Sequence, residues 1–136
     1  MNAIQPKAEL TLSRGGLQQA FAHAGPGTLD QLIGVFLTIT VGRFIVMRMV
    51  VEKKDEGYEC RHTVWGVCVA TSWAVVQDSP TGDGPVYSIT FPNRLMRYLW
   101  CDEMRALPDG GLVGRILAIP TGWRQPLKYF AYKRES

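Results

Sequence analysis

From Gly34 to Arg134 apolar side chains alternate with polar or small ones at a period of two, broken by short polar turns. Before Gly34 the period is helical: Leu17, Ala20, Phe21 and Ala24 fall at i, i+3, i+4 and i+7 and form one apolar stripe. Ser13 stands where an N-cap belongs, and Gly25-Pro26 ends the segment. This spacing predicts a short helix over 13–25 with a loose arm, 1–12, ahead of it. Thr28 and Gln31 have capping-box spacing for one more helical turn.

The β-branched and aromatic residues that follow suit a pleated, half-buried surface. Val35 to Val51 reads as a long strand kinked at Gly42, and Glu52 to Gly57 as a polar turn. Tyr58 to Gln77 repeats the device, with Gly66 as the kink. Its second half has a bulky face (Val67, Val69, Thr71, Trp73, Val75) and a small one (Cys68, Ala70, Ser72, Ala74). A turn-rich loop, Asp78 to Pro85, leads to a strand over Val86 to Phe91. Leu95 to Ala106 and Leu112 to Ile119 form a hairpin about Pro108 to Gly111, and Leu127 to Arg134 is the last strand. The elements make a mainly β protein of one domain, 1–136: an antiparallel meander of six to eight strands with one short N-terminal helix. Such a sheet closes into a barrel to remove its edges. At about eight strands the interior holds side chains or one small ligand.

Met96, Tyr98, Trp100, Asp102 and Met104 share the face of the central hairpin that should look inward. Arg97, Glu103 and Arg105 share the other. An Asp among Met and aromatic side chains must find a donor, reach water or protonate. A one-residue bulge would exchange Asp102 and Glu103, so the alternation leaves open which of them faces the interior. A strand-end Asp reaching water is the plainer account.

A net charge of +3 over 136 residues is too small to imply a nucleic-acid partner. The three cysteines, Cys60, Cys68 and Cys101, lack metal or disulfide spacing and read as buried, reduced thiols of a cytoplasmic protein. The histidines are far apart, His23 on the polar side of the helix, and no metal or other cofactor is expected. No signal peptide is visible, and the longest uncharged run is too short for a helical membrane span.

Leu32-Ile33-Gly34-Val35-Phe36 resembles the glycine and aromatic that open a lipocalin-type first strand. Asp102-Glu103-Met104-Arg105, Asp109 to Arg115 and Lys128 to Arg134 resemble the ending of lipocalin-like small bacterial barrels. Phenylalanine stands where those proteins have tryptophan. What the resemblance implies is a pocket for a hydrophobic small molecule inside the barrel.

The polar residues that interrupt apolar faces are the candidate site. His62 is a general base or acid, and Asp102 or Glu103 orients it or acts alone. Arg48 or Arg115 holds a carboxylate or steadies an oxyanion, Tyr98 donates to a carbonyl, and Trp100 and Arg105 complete the lining. The function that follows is binding of a hydrophobic small molecule, as a cofactor-free cyclase, isomerase or lyase of secondary metabolism. The alternatives are a carrier of a fatty-acid-like or polyketide-like ligand and a protein-interaction module, with a homodimer compatible with each.

Overall fold

A computed structural model describes residues 13–39, 47–92, 95, 100–118 and 126–135, with only the backbone of Trp100, Ala118 and Leu127. Helix α1 spans Arg14–His23, and the hydroxyl of Ser13 accepts from Gly16 N at its start. A single 3-10 turn, Leu29–Leu32, follows with the Thr28–Gln31 capping box formed. Then come eight strands: β1 (Gly34–Thr38), β2 (Met47–Lys54), β3 (Gly57–Val64), β4 (Val67–Asp78), β5 (Pro85–Thr90), β6 (Trp100–Ala106), β7 (Leu112–Ala118) and β8 (Pro126–Arg134). Each pairs antiparallel with the next, and β8 pairs with β1, so the meander closes into a barrel.

Three boundaries differ from the alternation. The run through Gly42 is two antiparallel strands, Val35↔Val50 and Leu37↔Arg48, and Gly42 itself lies outside the described residues. Gly66 is no kink: Trp65 (φ 56°) and Gly66 (φ 79°) are the two central residues of a tight hairpin turn between β3 and β4. Positive φ at both positions is what a twist-matched two-residue turn needs. Tryptophan in place of the usual Asn or Asp hid it. The strand expected from Leu95 begins at Trp100, and Leu95 is helical; Leu95, Tyr98 and Leu99 have the i, i+3, i+4 spacing that competes with alternation.

Two apolar layers result. Inside the barrel, Leu32, Phe36, Met49, Val51, Cys60, Ala74, Tyr87, Ile89, Met104, Leu112 and Tyr132 form the core. Outside it, α1 lays Leu17 and Phe21 on Val86, Val113, Tyr129 and Ala131. The second layer explains why β7 and β8 carry apolar residues on both faces.

The segment 25–33 plugs one end. The Tyr87 hydroxyl donates to Thr28 O (2.9 Å) and accepts from Gly27 N (2.8 Å). Arg134 crosses that end, donating to Gly110 O, Ile33 O and Gln31 O at 2.7–2.9 Å with its guanidinium 4.6 Å from the centre of the Phe36 ring. Gly34 makes room for it, since a Cβ there would lie 2.4 Å from the guanidinium. At Gly114 a Cβ would strike the Phe130 ring at 2.3 Å, so glycine lets that ring lie across β7.

Candidate functional site

The register decides which polar residues look inward. Met104, which belongs to the inner core, fixes the face of β6, and Asp102 shares it; Glu103 and Arg105 point out. Opposite, β3 turns Tyr58, Cys60 and His62 inward, and β4 turns Ala70, Ser72 and Ala74 inward. A register shift between His62 and Thr63 leaves Val69 unmatched and sends Cys68 to the surface, where it is exposed rather than buried as its alternation implied. On β8, Tyr132, Phe130 and Lys128 share the inner face.

The barrel interior therefore holds a short polar chain among apolar side chains. His62 Nε2 lies 3.2 Å from Ser72 Oγ, and Ser72 also hydrogen-bonds the Cys60 thiol. The His62 ring rests on Phe91, centroids 6.1 Å apart. Burial pushes the histidine pKa down, so the imidazole is neutral. Cys60 is driven up to about 12 by burial, with Glu59 and Asp102 adding to the effect against the Ser72 bond; it is a thiol and not a nucleophile. Burial also raises the pKa of Tyr132, and the charge of Asp102 adds to the rise.

Asp102 is the anomaly in this lining. Its Oδ1 is buried and has no hydrogen-bond partner among the described residues, and burial lifts its pKa to about 7. Desolvation of this size without a compensating cation makes the carboxyl a neutral acid close to physiological pH. Lys128, half-buried, is aligned with Asp102 through Ile116, two strands and about 10 Å away.

Glu103, Arg105 and Arg115 do not line the lumen. They sit under α1, because Val113, two residues from Arg115 on the same face, packs outside the barrel rather than within it. Glu103 is fully buried, and its Oε1 accepts from Ser79 Oγ and Arg115 Nε, both at 2.9 Å, while Oε2 has no partner. Arg115 also grips Asp83 bidentately at 2.9 Å and donates to Ser79 (3.1 Å) and Thr81 (3.0 Å). Partial burial would raise the Asp83 pKa, but the Arg115 and Thr81 hydrogen bonds and two guanidinium charges outweigh it and hold it at about 2. Arg105 is spent on the carbonyls of Pro85, Phe21 and Asp83. Both guanidiniums stack on the Phe21 ring, at 4.4 and 4.1 Å. Arg48 is exposed and paired with Glu135 at 2.8 Å. Tyr98 lies outside the described residues, as does the Trp100 side chain.

Alternation sets Ser72 on the small face of β4 without giving its hydroxyl a role, and it assigns no inner face to the last strand, where Tyr132 and Lys128 lie. The Ser79–Asp83 loop gave no periodic signal. Among the described residues no group of His, Cys, Asp and Glu is arranged to hold a metal, and no helix is long and apolar enough to cross a membrane. No protein-family model, curated protein or solved structure matches the chain.

Proposed function

We propose that the barrel is lipocalin-like and binds a hydrophobic small molecule in its lumen, on which Asp102 and His62 act as acid and base. The observation that carries this reading is the buried Asp102 Oδ1, unpartnered among the described residues, in an interior that is mostly apolar apart from a few polar groups. A polar atom left so in a native core costs about 1–3 kcal/mol, and a bound group that satisfies it relieves that cost. A few fixed polar groups in an apolar lining are the usual composition of a ligand site. The two segments that carry the lipocalin resemblance also meet: Phe36 is the register partner of Arg134, which stacks on its ring.

The chemistry supported is proton transfer without a cofactor. Protonated Asp102 donates to a carbonyl or hydroxyl oxygen of the ligand. Neutral His62, held by Ser72, accepts a proton from it. An isomerase or cyclase needs no more, since no electrons are exchanged and the protons balance. The inward Lys128 supports a second reading, a carrier whose ligand bears an acidic group at that end.

Native mass spectrometry of the purified protein is the first test, with Nile red as a neutral apolar probe of the lumen. The expected result is a retained apolar compound that displaces the probe. Incubated in heavy water, that compound should gain deuterium with the wild type and not with Asp102→Asn. A protein that carries no compound and binds no probe would leave a filled barrel and the interaction-module alternative. Binding without deuterium gain would leave the carrier.

A further inference from the structure

The inner faces of β6, β7 and β8 change along the barrel. Met104, Leu112 and Tyr132, toward the plugged end, are buried; Asp102, Ile116 and Phe130, farther from it on the same strands, are half-buried. The interior is packed beside the plug and more accessible beyond it, and Tyr132 stands at the boundary. Strands β8 and β4 are four strands apart either way round the closed ring, so they face each other across the interior. On β4 the inward residues Ala70, Ser72 and Ala74 are small and leave room for the Tyr132 ring, which belongs to one packed core with Ala74 and Cys60.

Two polar groups without partners meet there. Tyr132 is 5% exposed, and its hydroxyl makes no hydrogen bond among the described residues. The buried Asp102 Oδ1 makes none among them either. The charge of Asp102 reaches both the Tyr132 hydroxyl and the Cys60 thiol, so the three groups share one region of the interior. Cys60 is already hydrogen-bonded to Ser72. Tyr132 and Asp102 remain, and burial keeps each of them a donor: a phenol O–H and a carboxylic O–H. Two O–H donors in one place suit a single acceptor with two lone pairs, which a carbonyl oxygen supplies. In apolar surroundings such donors stabilise that oxygen more strongly as it gains negative charge.

We propose that Tyr132 and Asp102 together hold the carbonyl oxygen of an apolar unsaturated ketone, which makes Tyr132 a catalytic residue and such ketones the substrate class. This rests on the small-molecule reading above and adds the second donor to it. His62, with its Nε2–H on Ser72, takes a proton at Nδ1 from the carbon beside the carbonyl. The C–H electron pair becomes the double bond of the enolate, and the charge falls on the oxygen between the two donors. Return of the proton to a different carbon gives the isomeric ketone, with no oxidant or reductant. The test uses Nile red and three phenols of similar size and rising acidity, 4-methylphenol, 4-chlorophenol and 4-nitrophenol, which mimic the enolate oxygen. Displacement of Nile red at about pH 6 gives each affinity. In the wild type, affinity should rise by about tenfold or more across the series. In Tyr132→Phe the rise should shrink to roughly threefold or less, with Nile red bound as in the wild type. A wild-type affinity that ignores acidity, or a Tyr132→Phe series that matches the wild type, would overturn the two-donor site and leave the small-molecule reading standing. Failure of Nile red to bind the wild type would overturn both. The wild-type series needs no variant, so it decides the matter even where Tyr132→Phe fails to fold.

Discussion

On the outer side of β6, Glu103 is clamped by Ser79 and Arg115 beneath α1; on the inner side, the next residue back, Asp102, meets no cation among the described residues and leaves a buried oxygen without a partner among them. Glu103 is fully buried, whereas Asp102 is half-buried with its Oδ1 withdrawn from water, and their surroundings differ. Glu103 belongs to a network in which Arg115 also holds Asp83, Ser79 and Thr81, and both Arg105 and Arg115 lie against the Phe21 ring and so fasten the helix to the barrel. That arrangement is a structural joint. Asp102 holds nothing in place, and its surroundings favour the neutral acid. Burial of an acidic side chain is therefore no guide to its role; the partners it meets are.

Substitutions can sharpen or break this contrast. Arg115→Ala strands Glu103 and Asp83 together and should cost about 3–5 kcal/mol in urea unfolding, as removal of one partner from a buried pair does. It should leave probe binding in the lumen unchanged in whatever fraction remains folded. A loss below about 1 kcal/mol, the range of exposed pairs, would deny the joint its role.

The next effect is a pH dependence. The Asp102 pKa is raised from 3.8 to about 7 on folding, so its protonated form contributes stability that is complete below the unfolded pKa and lost as pH rises through the folded one. Between pH 5 and 8 the wild type should lose on the order of 2–3 kcal/mol from this group. His62 works in the opposite sense, its depressed pKa adding stability above its unfolded value and losing it as pH falls. Inward Cys60, Tyr132 and Lys128 face the same space. Asp102→Asn removes only the first contribution, so the difference between variant and wild type should grow from pH 5 to pH 8 in favour of the variant. A constant difference would mean that Asp102 titrates alike in both states.

A smaller effect is expected at Ser72, which bridges His62 and Cys60. Ser72→Ala should cost about 1–2 kcal/mol and raise the dependence of any activity on pH near neutrality, because His62 loses its hydrogen bond to the Ser72 hydroxyl. Smallest is Trp65→Asn, which should leave stability unchanged or raise it by up to about 1–2 kcal/mol through relief of the left-handed strain.

The eight-stranded meander was legible because one face of most strands is buried, and alternation then reports the face directly. Which of Asp102 and Glu103 faces inward was not legible, since a one-residue bulge would exchange them; only the β6 register sets Asp102 on the face of Met104. Arg115 was not, because α1 covers the outer faces of β7 and β8 and makes Val113 look like an interior position. The turn at Trp65-Gly66 was hidden by an unusual residue at positive φ. The Ser79–Asp83 cluster depends on long-range contacts to β6 and β7, which no local pattern encodes.

The proposal that Asp102 serves a ligand requires it to be protonated near neutral pH in the folded protein. Carboxyl-carbon NMR of the folded protein, with Asp102→Asn to assign the resonance, follows its titration directly. The account predicts a midpoint near 7, moving when the retained compound is added back. A midpoint near the ordinary value of 3.8, unmoved by the compound, would contradict it.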